Sequence, residues 1–142
     1  MYEVATLHIS SNLANLSEVR RFIQQTAVAL TNDIEVIGDL VLAVDEAVTN
    51  IIVHGYQNNS GDIEIGLSVD KNKLIVSLSD QAAAYDPTNL PIPDTKAPLT
   101  IRKPGGMGVH LIRNLVDEIS YERTNGWNIF VLTKHYDYRR KE

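Results

Sequence analysis

The chain has 142 residues, of which 44% are hydrophobic and 22% are charged, as is usual for one globular domain. The net charge of −5 weighs against direct nucleic-acid binding, and the absence of cysteine excludes disulfides and thiolate metal sites. No apolar run is long enough to span a membrane and no signal peptide pattern is present, so we expect a cytoplasmic protein without membrane contacts.

The first third of the chain predicts one strand followed by two helices. Residues 3–9 have the composition of a strand, and residues 13–30 carry apolar side chains at helical spacing. Asp33 can cap a second helix, and Gly55 can end that helix in a left-handed conformation.

The middle of the chain predicts a hairpin, a long loop and a third helix. The strands of the hairpin are expected at 63–69 and 74–79, on either side of a short polar turn. Residues 81–105 contain five prolines and form a long loop, and long loops in compact domains are usually functional or mobile. Residues 109–116 return to helical spacing.

The C-terminal part predicts a second hairpin. Its strands are expected at 118–123 and 127–134, with Asn125 and Gly126 in the turn. The fold class that follows is α+β: a two-layer sandwich of a mixed, mostly antiparallel sheet with helices on one face. We expect a single domain over residues 1–136 and a charged tail at 137–142.

The second helix carries polar residues at a regular interval. Glu46, Asn50 and His54 are four residues apart and lie on one side of the helix, beside Ala43 and Ala47. The small alanine side chains would let another group approach closely. The polar side chains are either an ordinary solvated face or one wall of a site.

A carboxylate stands at the end of the third predicted strand. Asp80 shares a strand face with Leu74, Val76 and Leu78. It either begins the next loop or points into a pocket. In a pocket, the carboxylate would need a partner and could accept a hydrogen bond from the amino group of a planar ligand.

Glycines precede and open the third helix. Gly105, Gly106 and Gly108 lie where free backbone N–H groups of a helix start can bind phosphate. The segment fits neither the P-loop pattern nor the dinucleotide fingerprint. A flexible loop end is the alternative interpretation.

In chain order, these motifs resemble those of the GHKL ATPases. DEAVTNIIVHGY at 45–56 is similar to the N box, DQAAAYDP at 80–87 to the first glycine box, and GGMGVHLI at 105–112 to the second. The compact size and the run after the second box resemble the anti-sigma factor serine/threonine kinases, the partner-switching branch. The resemblance implies the Bergerat ATP-binding fold.

The resemblance also implies ATP or ADP and Mg²⁺ as ligands. Glu46 matches the general base, Asn50 the Mg²⁺ ligand, and Asp80 the acceptor for the adenine amino group. The other implied nucleotide-binding residues are Ala82, Tyr85, Arg102, Lys103, Gly105, Gly106, Met107, Gly108 and Val109.

Three positions need separate comment. His54 is expected to make a structural hydrogen bond at the helix end. Residues 87–105 match a lid over the phosphates, in which Arg102 and Lys103 either reach the phosphates or are simply solvated. Ala82 stands where the family usually has glycine, so its methyl group is expected to weaken or reshape nucleotide binding.

The partners implied by the resemblance are a STAS-type anti-sigma factor antagonist, as the phosphorylated substrate, and a sigma factor that is held inactive. Homodimers are common in this branch. Two alternatives stay open. One is a nucleotide-binding partner switch without phosphotransfer. The other is a detached histidine-kinase catalytic domain, which the absence of a preceding phosphoacceptor helix disfavours.

Overall fold

The computed structural model of the protein describes residues 1–89 and 106–137. Arg102, Lys103 and Gly105, most of the predicted lid and the end of the predicted tail lie outside these residues. No helix in the two described ranges is long and apolar enough to cross a membrane.

Strands and helices alternate in blocks along the described residues. The strands are β1 (Tyr2–Ser10), β2 (Asp62–Asp70), β3 (Lys73–Asp80), β4 (Glu118–Thr124) and β5 (Trp127–His135). The α-helices are α1 (Leu16–Val28), α2 (Ile34–Asn50) and α3 (Gly106–Leu115). Both α1 and α2 lie between β1 and β2 in the chain, and α3 lies between β3 and β4.

The strands form one sheet in the order β1-β2-β3-β5-β4, and each neighbouring pair is antiparallel. The predicted α+β two-layer fold is confirmed, although the sheet of the described residues is wholly antiparallel instead of mixed. Alternate residues of the three central strands pack with the helices in one core. Those strand residues are Ile63, Ile65, Leu67, Leu74, Val76, Leu78, Phe130 and Leu132.

Helix α2 is the centre of the helical layer and packs against both α1 and α3. Its N-terminus is capped as predicted, because Asp33 Oδ1 accepts a hydrogen bond from the Val36 amide at 3.3 Å. Lys134 of β5 donates to Asp39 Oδ2 at 3.1 Å and to the Leu115 carbonyl at 2.7 Å. This contact fixes the C-terminal end of α3 beside α2.

Two predicted boundaries differ from the structure. The predicted helix at 13–30 begins as a 3₁₀ turn, Leu13–Asn15, before α1. Helix α3 begins at Gly106, three residues before the predicted start, so Gly106 and Gly108 lie in its first turn. The predicted turn between β4 and β5 is confirmed by positive φ angles of 52° at Asn125 and 83° at Gly126.

The end of α2 was predicted incorrectly. The helix continues as a π-helical turn, Ile51–Gly55, and the left-handed residues that reverse the chain are Gln57 and Asn58, with φ of 54° and 63°. Gly55 is therefore not a left-handed cap. A Cβ at Gly55 would lie 3.2 Å from Ala82 Cβ, so this glycine is explained by close approach of the loop after β3.

Candidate functional site

A pocket opens where the end of β3 meets α2 and α3. It contains about 430 Å³ free of protein atoms, a figure that includes space open to solvent. Four residues predicted from the sequence line it: Asn50, Asp80, Tyr85 and Val109. The structure therefore brings together residues that lie up to 59 positions apart in the chain.

The α2 wall of the site carries two unpaired polar side chains. Glu46 and Asn50 are half-buried, and neither side chain makes a hydrogen bond or ion pair with the residues that the structure describes. By contrast, the neighbouring Asp45 pairs with Arg20 of α1 at 2.8 Å. The carboxylate and the amide are one helical turn apart, so they can act on the same ligand.

The first turn of α3 lies directly against this wall. A Cβ built on Gly108 would be 3.2 Å from Glu46 Oε2 and 3.1 Å from Asn50 Nδ2. The absence of a side chain at Gly108 thus lets the helix start approach both polar groups. The first N–H groups of an α-helix have no acceptor within the helix and favour anions. Gly106 begins this helix, and the side chain of Met107 lies outside the described structure.

Asp80 also lines the pocket and is only 5% exposed. Its Oδ1 accepts hydrogen bonds from the Ala82 amide and from Asn128 Nδ2, both at 2.9 Å. Burial raises the pKa of Asp80, while the two hydrogen bonds and the charge of Arg123 act in the opposite direction. Neither hydrogen bond uses Oδ2, which remains available to a ligand.

Asn128 is a site residue that the sequence reasoning missed. It lines the pocket and lies beside Asp80 in the register of β3 and β5. The available signal was a polar side chain that shares the inward face of β5 with Phe130 and Leu132. A buried amide at such a position requires partners, and here one of them is the predicted ligand-binding carboxylate.

Tyr85 has the one buried side-chain polar atom without a hydrogen-bond partner among the described residues, its hydroxyl oxygen. The residue lines the pocket, and burial raises the pKa of its hydroxyl. A buried hydroxyl is normally hydrogen-bonded, so an unsatisfied one at a pocket wall indicates a place for a polar ligand atom.

Ala82 is buried but is not part of the pocket lining. Its methyl group is directed at Gly55, and its amide and carbonyl bond Asp80 and Arg123 respectively. The methyl group therefore occupies the space that is free because Gly55, at the end of the π-helical turn after α2, has no side chain. The expected weakening or reshaping of nucleotide binding by this methyl group stays a prediction.

The hydrogen bond predicted for His54 is absent from the described residues. The structural bonds at this helix end come from Tyr56 instead: its hydroxyl donates to the Asp62 carbonyl and accepts from the Gln81 amide, each at 2.7 Å. Tyr56 thus ties the end of α2 to the loop that follows Asp80.

The donor set fits magnesium better than a metal held by protein alone. The described residues contain no group of three or more His, Cys, Asp or Glu side chains that could hold a metal ion. Mg²⁺ commonly takes one or two protein oxygens and completes its shell with water and phosphate. The amide oxygen of Asn50, beside the start of α3, suits that role.

Comparisons with known proteins agree with this arrangement. Residues 9–134 match the family described as the histidine kinase-like ATPase domain. The chain is 35% identical to a serine/threonine-protein kinase, BtrW of Bordetella bronchiseptica, over 68% of each chain. It is 30% identical to an anti-sigma F factor of Thermoanaerobacter sp., over 92% of this chain and 91% of the relative.

A solved structure supports the fold. The crystal structure of the RsbU and RsbW domains of a Mycobacterium tuberculosis protein superposes with a TM-score of 0.64 at 20% identity. The match covers 93% of this chain and 32% of that longer one, and at this identity it shows the fold alone. The predicted family is confirmed, and the predicted enzyme class agrees with its relatives: the chain belongs to the histidine kinase-like ATPase domain family, in its GHKL-type serine/threonine kinase group.

Proposed function

We propose that this protein is an anti-sigma factor kinase of the partner-switching type. It binds ATP with Mg²⁺, phosphorylates a serine or threonine of a STAS-type antagonist, and sequesters a sigma factor, which implies a cytoplasmic protein. One observation carries the proposal: the start of α3 lies against Glu46 and Asn50, and Asn50 and Asp80 line the same pocket. The names of the relatives support it, and a homodimer is one assembly that the family resemblance suggests.

The nucleotide is oriented by its two ends. Asp80 Oδ2 accepts a hydrogen bond from the adenine amino group, and Tyr85 offers its hydroxyl to the same ligand. The phosphates lie toward the start of α3, where backbone N–H groups favour anions. The further residues proposed to contact the nucleotide or to position its contacts are Ala82, Arg102, Lys103, Gly105, Gly106, Met107, Gly108 and Val109.

Asn50 and Glu46 divide the chemistry between them. Asn50 contributes its amide oxygen to Mg²⁺, which supplies positive charge to the phosphates when bound. Glu46 accepts the proton of the attacking serine hydroxyl. Because phosphoryl transfer needs mainly alignment and charge stabilisation, a helix start, a base and a metal ligand on one wall are sufficient protein machinery.

The alternative, a nucleotide-binding switch without phosphotransfer, rests on Ala82 in place of the usual glycine. Its methyl group packs toward Gly55 and does not line the pocket, which supports the active-kinase proposal over that alternative. The third interpretation, a histidine-kinase catalytic domain, is weakened by relatives whose names specify serine.

Phosphotransfer from labelled ATP to purified STAS-domain proteins tests the proposal. Glu46→Gln preserves shape and should keep ATP affinity while slowing transfer by about 10²–10⁴-fold, the usual contribution of a general base. Asn50→Ala should lose Mg²⁺-dependent ATP binding. Asp45→Asn is the matched control, since it removes one carboxylate from the same helix, outside the pocket.

The outcomes separate the interpretations. ATP binding without transfer to any STAS substrate would favour the binding-only switch. Full transfer activity in Glu46→Gln would show that Glu46 is not the base. Absence of ATP binding in the wild-type protein would contradict the proposal as a whole.

A further inference from the structure

The side-chain amide of Asn128 uses both of its ends. Its Nδ2 donates to Asp80 Oδ1 at 2.9 Å, and to the carbonyls of Ala82 at 3.1 Å and Ala83 at 3.2 Å. Its Oδ1 accepts from the hydroxyl of Tyr121 at 2.5 Å. Three acceptors surround the nitrogen and donors surround the oxygen, so the amide has one favourable orientation.

Arg123 of β4 holds the same amide from outside. Its Nη1 donates to Asn128 Oδ1 at 2.9 Å and to the Ala82 carbonyl at 3.0 Å. Arg123 is an exposed residue, and it forms no salt bridge with a carboxylate of the described residues. The guanidinium of Arg123 therefore binds two neutral oxygens, one of Asn128 and one of Ala82. Each of these two residues in turn donates a hydrogen bond to the buried carboxylate of Asp80.

We propose that Asn128 and Arg123 are positioning residues for adenine selection. They hold Asp80 with Oδ1 anchored against the protein, so that Oδ2 is the atom presented to the base. The inference rests on the proposed nucleotide site, and it assigns to β4 and β5 a share of the specificity that the glycine-box motif attributes to Asp80 alone.

The physical reason lies in the rotation of the carboxylate. A 6-oxo purine places an acceptor where adenine has its amino donor, so a fixed Oδ2 opposes that oxygen and rejects the base. An Asp80 that can turn relieves this conflict. Without the contacts of Asn128 and Arg123, the affinity for adenine therefore falls and the affinity for the 6-oxo base falls less or rises. The ratio of the two affinities changes as a result.

Calorimetry with Mg·ATP and with Mg·ITP, its 6-oxo counterpart, tests the proposal. Wild type should prefer ATP. Asn128→Ala should reduce that preference by about tenfold or more, the usual scale for a hydrogen bond to a charged group. Arg123→Gln should reduce it in the same direction, and Arg123→Lys should recover part of it. Arg21→Gln, an exposed arginine of α1, is the matched charge control and should keep the wild-type ratio.

A purely structural role predicts a different result. Equal losses of ATP and ITP affinity, or an unchanged ratio in folded Asn128→Ala and Arg123→Gln, would overturn the inference alone. If Asn128→Ala does not fold, Arg123→Gln decides, because that residue is exposed. A wild-type protein that binds neither nucleotide would overturn the proposed function, and this inference with it.

Discussion

The substitution Gly108→Ala is expected to weaken nucleotide binding without lowering the folding stability. The added methyl group would lie 3.1 Å from Asn50 Nδ2, 3.2 Å from Glu46 Oε2 and 3.4 Å from Asn50 Oδ1. The first two separations are shorter than ordinary van der Waals contact, which begins near 3.5 Å for carbon. Both neighbours are the far ends of rotatable side chains, so they would move aside by a few tenths of an ångström without unfolding the protein.

The two effects of this substitution have opposite signs. Replacing glycine by alanine within a helix contributes up to about 1 kcal/mol through helix propensity. The displaced side chains are the proposed base and the proposed metal ligand, and a misplacement of about 1 Å can cost on the order of 10²-fold in rate. We therefore expect apo stability equal to or above wild type, with ATP affinity reduced by about tenfold and phosphotransfer reduced further.

Gly38→Ala is the matched control. Gly38 lies in α2, and a Cβ there would have no atom within 4 Å, so the substitution contributes propensity without crowding. It should raise the melting temperature by about 4 °C for a gain of 1 kcal/mol in a domain of this size, with ATP binding unchanged. Thermal melts of the apo protein and calorimetry with Mg·ATP measure both variants in parallel.

The reasoning would be refuted by Gly108→Ala that binds ATP and transfers phosphate like wild type. That result would mean that the approach of α3 to Glu46 and Asn50 has no functional role. A large loss of apo stability would also contradict it, because it would show that the two side chains cannot move aside.

Two further predictions concern the loop after β3. Gly55→Ala should destabilise the fold by about 1–3 kcal/mol, because the new methyl group would overpack against Ala82, whose amide is held by Asp80. Adding Ala82→Gly to the same chain should restore part of this loss. Denaturant unfolding of the two single variants and the double variant measures the coupling energy. Asp80→Asn replaces the free Oδ2 acceptor by a donor and should shift preference from ATP toward ITP. Because burial raises the pKa of Asp80, the folded protein binds a proton more readily than the unfolded chain, and the wild type gains stability as the pH falls through that pKa. The asparagine side chain does not titrate, so any stability advantage of Asp80→Asn at neutral pH should shrink over the same range. Urea unfolding of both proteins across this pH range measures the sign.

Local patterns were sufficient to predict the order of elements and to single out four residues that line the pocket, Asn50, Asp80, Tyr85 and Val109. The alternation of Leu74, Val76, Leu78 and Asp80 identified a carboxylate on the inner face of a strand, and the structure buries all four. Helical spacing likewise placed Glu46 beside Asn50. These inferences succeed because each depends on the period of a single element.

The remaining site residues depend on how distant elements meet. The register of β3 with β5 places Asn128 beside Asp80. The pairing of β4 with β5 places Arg123 beside Asn128. No period within one strand encodes that register. Gly55 was assigned to the wrong cause for the same reason, since a glycine needed for close approach looks in sequence like one needed for positive φ.

The groups that the described apo structure leaves unsatisfied gather at one pocket. Glu46 and Asn50 have no partners there, Asp80 keeps an oxygen free although burial opposes its charge, and the Tyr85 hydroxyl is buried without a hydrogen bond. A buried polar group without a partner costs folding stability, and a ligand with an amino group and metal-bound phosphates would offer partners to Asp80 and Asn50. A ligand that binds only the folded state raises stability by RT ln(1 + [L]/Kd), about 2.7 kcal/mol at a hundredfold excess over Kd. The site is therefore better explained as one half of a complex with nucleotide than as a solvated surface, because a solvated surface would have no reason to bury Asp80 and the hydroxyl oxygen of Tyr85.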